Sequence, residues 1–462
     1  MTVGSLKKIA PIPHWAGEEI APFSKREYKA RLDALKQRAA EQGVDYVVVY
    51  ADKLHFGDID FFTGLQIKWE EALLVVSTEG DKNSLILGNE CFPSYPESSP
   101  VRDHFQKILC PSMSLPGQVR FFDSASVFKL DKALKAAGLA RGTKVGLIGW
   151  KYLEKDEFCE NTFAHFVPEV FVRTTSAVVG TDRIPNLTRI MIDPEQGLRA
   201  RNDAHQIAYL ESCSSAVSNA LAAMIQGLKI GMSEAEAASL WKYRGQRLSA
   251  DPVVIFGQER IEIGFPTASE DSFLRQGDRV FTGIGYDGAF VTREGRALSF
   301  TERQKINREI EEIYIPYFKA LKVWYETVTI GTRAAAVYDK MKELLGDAFA
   351  FNPGHQIDRG AEWTTSLITK NSPHQFQSGM ALQFDIITMT DAEDGIALAD
   401  EALRNEIARK FPSCWARIQN RRAFLEEQLG IHPDKALLPL SNLQARVMPC
   451  LLSPEYALVA EY

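Results

Sequence analysis

Asn352-Pro353-Gly354-His355, followed further on by Gly379-Met380-Ala381-Leu382-Gln383-Phe384-Asp385, is the part of this chain that decides how the rest is read. Pro and Gly together mark a tight turn, so His355 stands at its exit. The run from Ala381 to Ile386 reads as a buried strand carrying one acid, Asp385. Between the two lies Asp358-Arg359-Gly360-Ala361-Glu362-Trp363, a second carboxylate beside an aromatic. An imidazole, with an ordinary pKa near 6.5, suits proton transfer at neutral pH.

Upstream, the chain opens as an α/β layer. Ser24 caps a helix with apolar positions Tyr28, Leu32, Leu35 and Ala39, Gly43 closes it, and Val44 to Tyr50 is a buried strand. Apolar runs at 72–76, 84–87 and 144–148 alternate with helical patterns such as 129–137. The expected first domain is 1–183. Pro185, Pro194 and Gly197 among polar residues suit a linker over 184–197.

Beyond it, Ile207, Leu210, Val217, Leu221 and Met224 share a helical face, and Ser233 with Glu236 has capping-box spacing. Apolar runs at 280–284 and 289–293 flank Tyr286-Asp287-Gly288, a hairpin signal. Helical patterns follow at 301–325 and 332–345. The second domain is expected over 198–410, then a helix and an extended tail over 411–462.

Composition excludes several function classes. With 45% apolar and 24% charged residues, the 462-residue chain can bury a large core. A net charge of −7, without long basic runs, gives no footprint for nucleic acid. Six scattered cysteines (Cys91, Cys110, Cys159, Cys213, Cys414, Cys450) form neither a disulfide framework nor a zinc knuckle. No apolar run reaches the ~18 residues of a membrane span, and the first residues lack the apolar core of a signal peptide. The expectation is a cytoplasmic protein with a small-molecule partner and no membrane or nucleic-acid partner.

The order of elements and the phrases around His355 resemble the pita-bread superfamily, which includes creatinase, prolidase, aminopeptidase P and methionine aminopeptidase. The resemblance implies an α/β N-terminal creatinase-like domain, an α+β pita-bread C-terminal domain and a homodimer. In metal-dependent members two Asp, one His and two Glu hold a pair of divalent ions. Matched phrase by phrase, His355 stands unchanged and Asp385 replaces one Glu. Gly283 and Phe290 fall at the Asp positions, and Ala399, in Leu398-Ala399-Asp400, falls at the final Glu of an Ile-Glu-Asp phrase. A further family His is replaced by Gly264 or Phe265, and another by Ala361. Asp287 and Glu294 lie in the hairpin but off the family's positions.

Glycine, phenylalanine and alanine side chains cannot ligate a hard cation. The expectation is therefore no metal and no cofactor. Creatinase, which works without metal, implies roles: His355 as general acid or base, with Glu362 and Asp385 orienting substrate or water. Arg293, Trp363, Phe265 and Phe290 would bind a substrate with an apolar body and an anionic group. His55 and Trp69 would reach a neighbouring subunit's site. The leading expectation is a metal-independent hydrolase of a C–N bond. Alternatives are a lyase, cyclase or isomerase on the same groups, a non-catalytic binding or scaffold protein, and a metallopeptidase of the Xaa-Pro type with relocated ligands.

Overall fold

A computed structural model describes residues 3–95, 99–118, 127–152, 163–346, 353–386 and 390–461. The chain forms two compact units, Ala21–Arg199 and a second made of Met1–Ile20 with Ala200–Tyr462. Strand β1 (Val3–Lys8) belongs to the second unit.

The first unit is a five-stranded sheet of β2 (Tyr46–Ala51), β3 (Ala72–Ser77), β4 (Asn83–Leu87), β5 (Gln106–Leu109) and β6 (Val145–Ile148) in the order β5-β4-β3-β2-β6. The outer pairs β2/β6 and β4/β5 are parallel, and the middle ones antiparallel. Apolar clusters on both faces explain why these strands read as continuous hydrophobic runs. Helix Lys25–Glu41 starts on Ser24, whose hydroxyl accepts from the Glu27 N–H while the Glu27 carboxylate accepts from the Ser24 N–H.

The segment 184–197 is packed, unlike the linker its composition suggests. Leu187 N–H donates to the Leu147 carbonyl at 2.7 Å, and Ile184, Leu187 and Ile190 to Ile192 are buried. Pro194 and Gly197 are themselves buried beside this apolar anchor.

The second unit holds three sheets. β7 (Leu248–Phe256), β8 (Arg279–Tyr286) and β9 (Ala289–Arg296) form an antiparallel meander. Tyr286 pairs with Ala289 across the two-residue turn Asp287-Gly288, whose φ values of 50° and 91° belong to the mirror-image turn that joins tight hairpins. β10 (His355–Asp358), β11 (Ala361–Thr365), β12 (Ala381–Gln383), β13 (Gly395–Leu398) and β14 (Leu437–Pro439) form an antiparallel sheet in the order β11-β10-β12-β13-β14. β15 (Tyr456–Glu461) pairs with β1 along its whole length.

The first twenty residues thus lie with the C-terminal part of the sequence. Ile9 and Ile12 join its core, and Arg446 donates to the carbonyls of Ala10 (2.8 Å) and Pro11 (3.2 Å). Helix Ala204–Gly227 backs the meander, and helix Ile315–Thr327 shares the same large apolar cluster.

One buried charge network ties helix Ala204–Gly227 to helix Pro412–Phe424. Glu211 accepts from Arg417 (2.6 and 2.9 Å) and Arg421 (2.6 Å), and Arg421 also donates to Asn442 and Ser215. Burial alone raises the Glu211 pKa, but the two guanidiniums outweigh it and hold the carboxyl below its usual range. A carboxyl depressed in the folded state contributes stability above its unfolded pKa, about 4.3, and that contribution disappears as pH falls through the folded value. The stability of the second unit in equilibrium unfolding is therefore expected to fall below about pH 4. Glu211→Gln is expected to flatten that acid limb; an unchanged slope would refute the assignment.

Candidate functional site

The site begins with a turn that only glycine fits. Gly354 has φ 124°, and a Cβ there would lie 2.6 Å from the Gln383 carbonyl. Trp324 Nε1–H donates to the Pro353 carbonyl at 2.7 Å, fixing the turn against Phe384, Tyr317 and Tyr325. His355 then enters β10 fully buried, opposite Gln383 of β12.

Three carboxylates converge on its Nε2. Glu362 Oε1 lies at 3.3 Å, Asp385 Oδ2 at 3.7 Å and Glu393 Oε1 at 3.8 Å. Nε2 makes no well-aligned hydrogen bond, while Nδ1 faces the Gln356 carbonyl at 3.4 Å. A carbonyl only accepts, so the Nδ1 position carries the proton and the neutral ring keeps its lone pair on Nε2. Trp363 stacks on the imidazole, with ring centroids 4.0 Å apart and planes 12° apart.

Glu393 is the residue that sequence reading missed. Ala399 is packed among Ile207, Ile407 and Leu438, and Glu393, directly ahead of β13, is a further carboxylate that the fold brings beside His355. Gln383 Nε2–H donates to Glu393 Oε1. Thr292 Oγ1 accepts the Glu393 N–H at 3.1 Å and donates to Asp391 Oδ2 at 2.7 Å. Tyr317 OH accepts the Ala392 N–H at 2.8 Å. The loop carrying Glu393 is thus held from three sides.

Arg293 takes part in that holding and does not face a substrate. Its guanidinium, fully buried, pairs with Asp394 at 2.7 Å and donates to the carbonyls of Glu393 (3.1 Å) and Leu443. The expectation of a carboxylate-binding Arg293 is corrected: every strong acceptor in its reach is already internal. Phe290 packs over the hairpin. A Cβ on Gly283 would meet its ring at 3.1 Å, as would one on Gly285, so the aromatic ring fills the space beside the two glycines. Phe265 is 68% exposed, with its ring 5.6 Å from Phe281, outside the group around His355.

Asp287 and Glu294 are spoken for as well. Asp287 is held by Tyr209 and Arg247, and Glu294 by Arg279. In the first unit, His55 Nδ1 lies 3.0 Å from Asp52 and its ring stacks on Trp150 at 4.3 Å, while Trp69 is largely exposed.

The electrostatics follow from burial and crowding. Burial lowers the His355 pKa, but Glu362 and Glu393 outweigh it and push it up to about 10. Burial raises Asp385 to about 6, with Glu362 adding to the effect and His355 opposing it. Burial likewise raises Asp391 to about 7 and Glu393 well above the usual range. The pocket holds more carboxyl groups than one imidazolium can keep ionised, and burial drives protons onto them.

A cation fits that description. His355, Glu362 and Glu393 each offer a ligand atom within 4.8 Å of the others. Two donors bound to one ion at about 2.1 Å lie roughly 3.0–3.4 Å apart. The His355–Glu362 separation of 3.3 Å falls in this range and the 3.8 Å to Glu393 lies just beyond it. Gly283 and Phe290 offer no side-chain oxygen on the hairpin side.

No protein-family model and no curated protein matches the sequence. Solved structures do match the fold. Dipeptidase PepE from Mycobacterium ulcerans matches with 16% identity over 82% of this chain and 95% of its own, at a TM-score of 0.58. The prolidase from Pyrococcus horikoshii OT3 matches with 16% identity over 80% and 95%, also at 0.58. The X-Pro aminopeptidase from Thermotoga maritima MSB8 gives 15% identity over 80% and 95%, again at 0.58. The chain has the pita-bread fold with its N-terminal α/β domain, as the sequence phrases implied. Among the described residues, no helix is long and apolar enough to cross a membrane.

Proposed function

We propose that this chain is a hydrolase of an amide-type C–N bond in a small molecule, and that its pocket holds a single divalent cation between His355, Glu362 and Glu393. The observation that carries this reading is the convergence of two glutamates on a buried imidazole whose Nε2 is left unbonded. The metal-free expectation leaned on Gly283, Phe290 and Ala399 at three ligand positions, and Glu393 offers a carboxylate that it did not count. The peptidases that share the fold support an amide as the bond cleaved.

When bound, such an ion polarises a carbonyl or acidifies a water. The chain's own groups do the remaining work. Asp385, pushed up to about 6, takes up and releases a proton at Oδ2 near neutral pH. Gln383 and Thr292 hold Glu393 in place, one at its carboxylate and one at its backbone N–H. Phe290 supplies an apolar wall over Gly283 and Gly285. A homodimer remains part of this reading and is checked by light scattering of the purified chain.

The test combines elemental analysis of protein purified without chelator, titration with Mn2+, Co2+ and Zn2+, and turnover of a dipeptide and amide panel. One equivalent per chain is expected, not two. Glu393→Gln is expected to weaken cation binding at least about tenfold, since even indirect supports of metal ligands cost 10–100-fold. Less than a tenth of an equivalent, and no binding on titration, would sink the cation.

A second reading then stands on its own observation, the pull of Glu362 and Glu393 on the His355 proton. With no ion, the ring is an imidazolium that acts as a general acid, and turnover survives chelator.

A further inference from the structure

The group proposed to do the chemistry is sealed off. His355 is 0% exposed, the side chains of Asp385 and Glu393 are nearly so, and that of Glu362 is 21% exposed. Trp363, which covers the imidazole, is 43% exposed. Exposure therefore rises from His355 outward through Glu362 to Trp363, and both outer residues sit on β11, the edge strand of its sheet. An edge strand is paired on one side only, so its outward residues can move without breaking the sheet behind them. Trp363 stacks flat on the ring, at 4.0 Å and 12°, the geometry a planar guest would adopt on an imidazole.

We infer that the face of the His355 imidazole is a subsite for a flat ring of the substrate, and that in the free chain Trp363 fills this subsite and must swing out before a substrate enters. The inference rests on the reading that His355 lies at the reacting centre. It adds a substrate class, small molecules bearing an aromatic or similarly flat ring. It also makes Trp363 a specificity-determining residue whose indole competes with that ring. The negative surroundings favour the arrangement, because a π face is attracted to whatever cationic form His355 takes.

The test reads access to His355 directly and needs no turnover. Diethyl pyrocarbonate acylates imidazole nitrogens only when they are neutral and uncoordinated, so all variants are labelled after chelator treatment at one common alkaline pH, and mass spectrometry resolves the rate at each histidine. His432, which is exposed, serves as the internal standard. In wild type the His355 rate is limited to the open fraction, so Trp363→Ala is expected to label at least about tenfold faster. Trp363→Phe, which keeps a flat ring, is expected to behave as wild type. Trp363→Leu, which keeps apolar bulk without a flat ring and guards against misfolding of the alanine variant, is expected to label like Trp363→Ala.

Added indole is expected to slow His355 labelling in Trp363→Ala and to leave His432 unaffected. Equal His355 rates in wild type, Trp363→Ala and Trp363→Leu overturn the gate, and an indole-insensitive Trp363→Ala overturns the subsite. Failure of the amide panel with a positive labelling result sinks the proposed reaction and leaves the gate standing.

Discussion

His355→Ala is expected to lower kcat/KM on any amide the wild type hydrolyses by about 10²–10⁴, the usual worth of a positioned proton-transfer group. The size follows from the site's construction. Among the described residues no other imidazole lies in the cluster, and three carboxylates crowd the position the ring leaves. Without the ring they repel one another in a buried space, so their protons and any bound ion redistribute together. His355→Gln retains a neutral donor and acceptor of similar length and is expected to recover little, because an amide does not exchange protons. A His355→Ala turnover within about threefold of wild type would remove His355 from the chemistry.

Arg293→Ala is expected to destabilise the second unit by about 3–5 kcal/mol, the cost of stripping one partner from a buried ion pair. Asp394 would be left fully buried without its ion-pair partner, and its neutral contacts, the Ala445 N–H at 2.9 Å and the Ser441 hydroxyl, cannot replace that charge. Denaturant unfolding monitored on that unit measures the loss. Adding Asp394→Asn to Arg293→Ala is expected to recover part of it, since the orphaned charge is then gone. A loss of substrate affinity with unchanged stability would instead restore the role that the sequence suggested for Arg293.

That contrast shows which parts of the molecule could be read from residues alone. Local signals were legible: the Ser24 cap, the Asp287-Gly288 hairpin and the Pro-Gly turn before His355 each depend on neighbours within a few positions. Arg293 was not, because its partner Asp394 is 101 residues away and nothing local marks the arginine as buried. Glu393 escaped for a different reason. The family phrase matches Leu398-Ala399-Asp400, further along the same strand, and only the register of β13 against β12, Gly395 opposite Gln383, brings Glu393 beside His355. The available signal was the adjacent acid pair Glu393-Asp394 ahead of a fully buried strand, where two charges need internal partners. The segment 184–197 misled through composition, since its apolar anchors are spaced among turn residues.

The pairing of β1 with β15 has a consequence for biosynthesis. Ser5 and Glu461, hydrogen-bonded at 2.7 Å, are 456 positions apart. At roughly 5–20 residues per second, the first strand waits about 20–90 s for its partner to be made. Residues 21–199 can close their own sheet during that interval, whereas the unit bearing His355 stays open at one edge until its last strand arrives. The nascent chain thus carries an unpaired strand, Val3–Lys8, until β15 has been made, and two of its six residues are the lysines Lys7 and Lys8, charges that discourage that strand from pairing with other chains.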